Sequence, residues 1–317
     1  EVMNMKCKQI VFTEINKAEL LEVETDEPKK NEVMVKTMVS TISCGTERAN
    51  ITGNPNVNAG ASPEVVFPRT LGYSSAGIVI KKGADVKSVE IGDRVVVFWG
   101  HHKKYNVVPE QQVVKIKDKN ISFETGAMSF IAAFPMAAIR KTRLEMGESA
   151  IVMGLGILGM IGIKLLHAAG AVPIIAADPN LKRREIALQN GADYTFDPLC
   201  EDFAQTVKSV TDGGVNAAIE VTGVGAGFNE ALDCMAKFGR VALLGCTRNS
   251  DFAVDYYKKI HAPGITVIGA HTQARPNTES HPGWFTHRDD IKSVLKLCSG
   301  GRLCLEDIVE ETHSPSE

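Results

Sequence analysis

The sequence has 317 residues, of which 44% are hydrophobic and 23% are charged, and its net charge is −3. This length suits about two domains and is long enough to bury a substantial core. The nearly balanced charge gives no electrostatic reason to expect nucleic acid or an anionic membrane as a partner.

The first part of the chain, residues 6–119, is a succession of short apolar stretches and turns. Residues 32–39 alternate polar and apolar side chains with a period of two, which predicts a half-buried strand. Residues 50–68 are rich in proline, glycine and asparagine, which predicts a loop. Further strands are expected at 72–80, 93–98, 107–108 and 113–116.

The pattern changes after residue 122. Residues 122–125 are typical of a helix start, and 127–140 form an alanine-rich helical stretch that Pro135 is expected to interrupt. From 149 to 271 apolar strands alternate with helical segments, which predicts a parallel sheet covered on both faces. The later strands of this sheet are expected at 217–221, 240–244 and 265–268.

A glycine motif stands at the start of the alternating region. An apolar run enters Gly154-x-Gly156-x-x-Gly159 and leaves with helical spacing, so the motif predicts a strand, a tight turn and a helix. Gly156 lets the backbone approach a pyrophosphate, and the start of the helix favours its charge. Asp178 ends the next apolar run, about 20 residues after Gly159, where an acid accepts the ribose hydroxyls of NAD.

Two structural alternatives compete with this interpretation. The long apolar stretch 151–177 has the length of a membrane span, but Lys164, His167 and Pro173 interrupt it. The turn could also belong to an α/β protein that binds nothing.

NADP stays an alternative to NAD because the basic side chains after Asp178 could offset the negative charge of its carboxylate. The predicted cofactor residues beyond the motif are Ile157, Leu158, Arg183, Thr222, Gly245, Cys246 and Gly269.

Several motifs follow one another along the chain. They are Cys44-Gly45-Thr46-Glu47, the segments 71–77, 89–95, 190–193, 220–223 and 239–245, and the glycine turn. Together these motifs resemble the medium-chain dehydrogenase/reductase superfamily, which includes the zinc-type alcohol and polyol dehydrogenases. The resemblance implies a GroES-like β-rich catalytic domain over 1–122, a Rossmann NAD-binding domain over 123–271 and an active-site cleft between them. Residues 272–317 would return towards the catalytic domain, and we expect the C-terminus to be incomplete.

The sequence departs from the zinc-binding pattern of this superfamily. Tyr73 stands where the family places a zinc-binding histidine, and residues 128–133 offer no third ligand to accompany Cys44. The four-cysteine structural zinc lobe is also missing. The chain therefore resembles a zinc-lacking branch that includes relatives of bacteriochlorophyllide hydroxyethyl dehydrogenase. Zinc held by Cys44, Glu47 and His102 is the alternative.

Hydroxyl groups would then replace the metal. The resemblance places Thr46 in a proton relay and turns Tyr73 towards the substrate, where a phenol with a reference pKa of about 10 suits a hydrogen-bond donor. Glu47 would complete this catalytic set, while Cys44, Trp99 and His102 would line the substrate pocket. The structural alternatives are that Thr46 caps a turn and that Tyr73 packs in the core.

These expectations combine into an NAD-dependent dehydrogenase of secondary alcohols or polyols that works without catalytic zinc. The alternatives are an NADPH-dependent quinone or enoyl reductase and a nucleotide-binding protein without turnover. The resemblance implies a homodimer formed by edge-to-edge pairing of the last Rossmann strand, and the apolar, β-branched segment 266–270 would otherwise leave exposed backbone donors and acceptors there. The seven scattered cysteines, and a first stretch without an apolar run, predict a reducing, cytoplasmic compartment.

Overall fold

The computed structural model describes residues 5–54, 57 and 65–316, so part of the predicted loop over 50–68 lies outside the described residues. The chain divides into two compact units, residues 1–131 with 287–317, and residues 132–286. The sequence predicted boundaries at 122/123 and 271/272 instead, and these stay a proposal for the functional domains.

The strands of the first unit pair antiparallel. Their bounds are β1 (Met5–Glu14), β2 (Lys17–Thr25), β3 (Glu32–Ser40), β4 (Arg69–Thr70), β5 (Ser74–Lys82), β6 (Arg94–Phe98), β7 (Tyr105–Pro109) and β8 (Val113–Lys115). One sheet has the order β7-β3-β5-β6-β8, and a smaller one has the order β2-β1-β4. The larger sheet buries a layer of valines that includes Val33, Val79 and Val95.

The predicted strand at 72–80 begins later than the sequence suggested. Strand β5 starts at Ser74, because Gly72 has a φ of +110°, which no strand residue adopts. A Cβ at Gly72 would lie 2.0 Å from the backbone nitrogen of His102. The segment before β5 is therefore packed backbone to backbone against a neighbouring loop.

A short helix that the sequence did not predict, α1 (Cys44–Ile51), follows β3. Its first turn carries Glu47, whose carboxylate accepts a hydrogen bond from the backbone N–H of Ser43 at 2.9 Å. An acid near the start of a helix is favoured by the helix dipole. Two turns without a regular apolar stripe leave little periodicity in the sequence, so this helix had no detectable signal.

Helix α2 (Phe123–Thr142) contains Pro135 and continues without a break, so the predicted interruption is wrong. The proline costs the helix one hydrogen bond. Its ring lies opposite Gly162, where an added Cβ would be 3.8 Å from the Pro135 Cβ. Pro135 therefore packs against α3 (Ile157–Ala169) within the second unit.

The second unit is built around a six-stranded parallel sheet with the order β11-β10-β9-β12-β13-β14. This is the strand order of a Rossmann fold, with β9 as its first strand in sequence. The three later strands that the sequence predicted are present. The elements are β9 (Ala150–Met153), α3 (Ile157–Ala169), β10 (Ile174–Ala177), α4 (Leu181–Gln189), β11 (Tyr194–Phe196), α5 (Phe203–Val210), β12 (Val215–Glu220), α6 (Gly225–Asp233), β13 (Met235–Leu243) and β14 (Thr266–Gly269).

The chain returns to the first unit at helix α7 (His287–Ser299). Arg288 of this helix donates hydrogen bonds to the backbone carbonyls of Glu110 and Val113, at 2.8 and 2.9 Å. Within the described part of the chain, no helix has the length and apolar character needed to cross a bilayer.

Candidate active site

The glycine turn joins β9 to α3 in the second unit. Gly154 has a φ of +96°, a conformation that favours glycine. A Cβ on Gly159 would lie 1.9 Å from the Gly154 carbonyl oxygen, so the helix can only approach the turn if this residue is glycine. Gly156 is exposed, and a Cβ there would meet nothing within 4 Å. The turn therefore leaves open space in front of the start of α3, as a bound pyrophosphate requires.

Asp178 directly follows β10 and lies against this turn. Its carboxylate accepts hydrogen bonds from the backbone N–H groups of Leu155 and Asn180, at 2.9 and 2.8 Å. The residue is only 6% exposed. The Arg183 guanidinium is 3.6 Å from the same carboxylate, with most of its side chain in solvent. The acid thus supports the turn and places a negative charge beside it.

The loops that follow β12 and β13 pack against each other. A Cβ on Gly223 would lie 2.6 Å from the Cys246 carbonyl oxygen, and one on Gly245 would lie 2.4 Å from the Gly223 nitrogen. Glu220 is buried at the end of β12 and accepts a hydrogen bond from the Thr222 backbone N–H at 2.8 Å. Burial raises the pKa of the Glu220 carboxyl, although hydrogen bonds from Thr222 and Gly223 act in the opposite direction.

The remaining predicted cofactor residues lie at two places in this unit. Ile157 and Leu158 form the first turn of α3 and are half-buried. Gly269 ends β14, and its carbonyl oxygen accepts a hydrogen bond from the Lys141 ammonium at 3.1 Å. Because Gly269, Thr222 and Cys246 lie at or just beyond the carboxyl ends of parallel strands, they belong to the edge where open α/β sheets bind ligands.

In the first unit, α1 begins with the Cys44-Gly45-Thr46-Glu47 motif, and the first two residues of the motif lie at the surface. Cys44 is exposed and Thr46 is half-buried. Glu47 is buried, and both of its carboxylate oxygens lie 3.1 Å from the Nε2 atom of His102. The Nδ1 atom of His102 lies 2.6 Å from the Ser40 hydroxyl. His102 is therefore a buried residue with two side-chain partners, and its place in the substrate pocket stays a prediction.

Tyr73 and Trp99 lie in an aromatic cluster of the first unit. The Tyr73 ring is 5.8 Å from Trp99 and 5.9 Å from Phe130, measured between centroids. His287 at the start of α7 packs against Phe130 and Trp99, at 5.1 and 5.6 Å. Trp99 has a φ of +61°, an uncommon conformation for a large side chain. Phe98 is the fifth member, 5.2 Å from Phe130.

Sequence reasoning missed three of these residues. Ser40 gave no signal, because its contact with His102 joins positions far apart in the chain. Phe130 was part of a helix predicted from its alanines, and His287 could not be placed because the preceding segment has no periodicity.

The strand order and the glycine turn define a dinucleotide-binding protein of the Rossmann type. Two family models match the chain: "Alcohol dehydrogenase GroES-like domain" over residues 29–118 and "Zinc-binding dehydrogenase" over residues 158–282. The chain belongs to the zinc-type medium-chain dehydrogenase superfamily and is an NAD(P)-dependent oxidoreductase of that type. The predicted combination of a GroES-like and a Rossmann domain is confirmed.

Individual relatives cover nearly the whole chain. It is 29% identical over 322 residues to an L-threonine 3-dehydrogenase of Pyrococcus abyssi (strain GE5 / Orsay), covering 92% of this chain and 87% of that protein. It is 27% identical over 327 residues to the (R,R)-butanediol dehydrogenase of Bacillus subtilis (strain 168), covering 90% of each. A solved structure of an alcohol dehydrogenase from Escherichia coli CFT073, complexed with NADH, is similar with a TM-score of 0.80 at 18% identity, covering 95% of this chain and 90% of that one.

The family description implies zinc, but the residues described here do not fit a catalytic zinc site. Such a site needs three protein ligands and an open position. Glu47 and His102 contact each other, and no group of three or more His, Cys, Asp or Glu side chains that could hold a metal occurs among the described residues. The grouping of Cys44 with Glu47 and His102 that the sequence left open is therefore not found there.

Proposed function

We propose that this protein is an NAD-dependent dehydrogenase of secondary alcohols or polyols that works without catalytic zinc. The observation that carries the proposal is the glycine turn between β9 and α3. The buried Asp178 carboxylate accepts a hydrogen bond from the Leu155 backbone N–H in this turn. In this arrangement the start of α3 can bind a pyrophosphate, and the Asp178 carboxylate can accept hydrogen bonds from a ribose.

The position of Asp178 supports NAD over NADP. An acid beside the ribose site repels the additional phosphate of NADP. Arg183 lies 3.6 Å from the Asp178 carboxylate and reduces this repulsion, but its side chain is 54% exposed, so solvent screens its charge. The buried acid therefore outweighs the exposed base.

The names of the two relatives support the substrate class. L-Threonine carries a secondary hydroxyl on carbon 3, and a butanediol dehydrogenase acts on a diol. Because the chain covers 87% and 90% of these proteins, the comparison extends over both units. A small molecule with a secondary hydroxyl is accordingly the proposed substrate.

The proposed chemistry uses hydroxyl groups of the first unit. A bound nicotinamide would accept the hydride from the alcohol carbon, or supply it to the ketone. In the oxidative direction the alcohol also loses a proton, and we assign this proton to a relay that begins at the Thr46 hydroxyl. The Tyr73 phenol would donate a hydrogen bond to the substrate oxygen, which an aromatic and partly dehydrated surrounding strengthens. Glu47, predicted as a third member, has its carboxylate engaged by Ser43 and His102.

Two further properties belong to this proposal. We propose a homodimer, because β14 forms one edge of the sheet and Val267 on it is 38% exposed. We also propose a cytoplasmic location, which the seven free cysteines support.

A substrate screen tests the proposed function. Purified protein would be incubated with NAD or NADP and a panel of polyols, sugars, amino alcohols and aryl alcohols, and the reduced cofactor would be followed by its absorbance. We expect reduction of NAD with at least one secondary alcohol. A second assay would offer NADPH with quinones and enoyl compounds, and turnover confined to this assay would instead establish a reductase. Cofactor binding without turnover on the whole panel would establish a binding protein.

A further inference from the structure

His102 connects the two segments that carry the proposed catalytic hydroxyls. On one side, its ring contacts Glu47, the residue after Thr46 on α1. On the other side, its backbone N–H donates to the Leu71 carbonyl oxygen at 2.7 Å, two residues before Tyr73. All of these residues belong to the first unit.

Both ring nitrogens of His102 have a side-chain partner. A carboxylate can only accept, so the Nε2 atom donates to Glu47. The Nδ1 atom lies 2.6 Å from the Ser40 hydroxyl, which donates to a neutral ring and accepts from a protonated one. Both ring nitrogens are thus occupied by protein groups, and neither is available to a substrate unless one of these bonds breaks.

The backbone around His102 leaves no room for adjustment. A Cβ on Gly72 would lie 2.6 Å from the Cγ atom of His102, so the segment before Tyr73 lies directly against the imidazole. The Trp99 backbone N–H donates to the Tyr73 carbonyl oxygen at 2.8 Å and joins the same two segments a second time. The imidazole and the Gly72 backbone are therefore in close contact.

We propose that His102, held between Ser40 and Glu47, is a positioning residue that fixes the Thr46 and Tyr73 hydroxyls relative to each other. The inference rests on the proposed function. It assigns Glu47 to the same supporting role and gives neither residue a proton-transfer step. A misplacement of about 1 Å at reacting groups can cost on the order of a hundredfold in rate, so such a support has a measurable effect.

The test compares Glu47→Ala with Glu47→Gln. The alanine variant removes the partner of His102 and of the Ser43 N–H, whereas glutamine keeps the length and an acceptor oxygen. Val79→Ala is the control, because Val79 is fully buried in the valine layer and its truncation destabilises the first unit without touching His102. All three variants would be assayed with parent protein at a temperature where each is folded.

If His102 is a positioning residue, Glu47→Ala lowers kcat by about ten- to a hundredfold while the NADH dissociation constant and the shape of the pH profile stay as in the parent. Glu47→Gln recovers most of kcat, and Val79→Ala keeps the parent value. The proposal is overturned if Glu47→Ala keeps kcat within about threefold. It is also overturned if Glu47→Gln is as slow as Glu47→Ala and loses the acidic limb of the pH profile, because that result makes the pair a proton acceptor.

Hydrogen exchange separates this inference from the proposed function. We expect Glu47→Ala to accelerate amide exchange in residues 44–51 and also in residues 71–73, since His102 joins the two segments. If the parent turns over no alcohol, the proposed function fails while this readout still applies. Unchanged exchange in residues 71–73 would then overturn the connection through His102.

Discussion

The Asp178 carboxylate accepts a hydrogen bond from the backbone N–H of Leu155 at 2.9 Å. Asp178, which directly follows β10, therefore holds the glycine turn that follows the neighbouring strand β9. This contact is additional to its proposed contact with the cofactor. Any substitution at position 178 changes both the shape of the turn and the charge beside it. Variants that separate these two effects are needed.

The first prediction concerns cofactor choice. Asp178→Ala should weaken NADH binding about ten- to a hundredfold, as expected for losing hydrogen bonds to a charged group, and should narrow the preference for NADH over NADPH. Asp178→Asn keeps an acceptor for Leu155 but removes the charge, so it should narrow the preference with a smaller loss of affinity. Fluorescence titration with both cofactors measures the two constants. An unchanged preference in both variants would remove Asp178 from the ribose site.

The second prediction concerns the metal. We expect purified protein to contain substoichiometric zinc and to keep its activity after chelation, because Tyr73 stands at the family's ligand position and the ligand set is incomplete in the described chain. Elemental analysis before and after dialysis against a chelator, with activity measured on the same samples, provides the check. One tightly bound zinc per chain that is lost in Cys44→Ser would show this prediction to be wrong.

The third prediction concerns the proposed hydroxyls. Tyr73→Phe keeps the ring contacts with Trp99 and Phe130 but removes the phenol, and we expect kcat to fall on the order of a hundredfold. Thr46→Val should have a comparable effect, while Thr46→Ser keeps a hydroxyl and should retain most of the turnover. Thermal unfolding must be recorded beside the rates, because a methyl replaces a polar group. Values of kcat within about threefold of the parent in both Tyr73→Phe and Thr46→Val exclude hydroxyl chemistry.

The fourth prediction concerns assembly. The parent should be a homodimer by light scattering at micromolar concentration, and Val267→Lys should be a monomer because a charge on an edge strand opposes pairing. Leu199→Lys is the matched control, since Leu199 is an exposed apolar residue outside the sheet, at 77% exposure. A monomeric parent would contradict the prediction, as would a Val267→Lys variant that stays dimeric.

The fifth prediction concerns the stability of the second unit at low pH. Arg240 donates to both carboxylate oxygens of Glu148, at 2.9 and 2.5 Å, and to the Thr142 carbonyl oxygen. The Arg240 hydrogen bond lowers the pKa of the Glu148 carboxyl, and burial only partly opposes it. The ionised form is therefore favoured in the folded state, and its contribution is present above the unfolded pKa, about 4.3, and lost as the pH falls through the folded value.

Glu148→Gln should accordingly be less stable than the parent by about 1–2 kcal/mol near pH 7, with the difference shrinking below about pH 4.3. Urea unfolding at a series of pH values measures it. Arg240→Met should show the same narrowing and a larger loss at pH 7, because it also removes the donor to Thr142. A difference that stays constant with pH would mean that the ion pair does not cause it.

The sequence predicted the second unit better than the first, for physical reasons. Parallel strands buried on both faces are continuously apolar, so β9, β10 and β12 stand out from their surroundings, and the glycine turn adds a steric requirement. Helix α1 has two turns and no apolar stripe, and the contacts of His102 with Ser40 and Glu47 join three separate segments. Such contacts depend on the sheet of the first unit having formed, and no local pattern records them.

The contact between Gly72 and His102 makes two positions of the sequence interdependent. Any side chain at 72 would collide with the backbone nitrogen at 102, 2.0 Å from the new Cβ, as well as with the imidazole. Replacing the imidazole with a smaller group would relieve only the second of these collisions. Homologues that lack glycine at 72 should therefore have a loop of different path or length near 102, and they should have changed Ser40 or Glu47 as well. Attempts to alter substrate range by mutating Tyr73 or Trp99 will succeed more often in libraries that leave Gly72 unchanged.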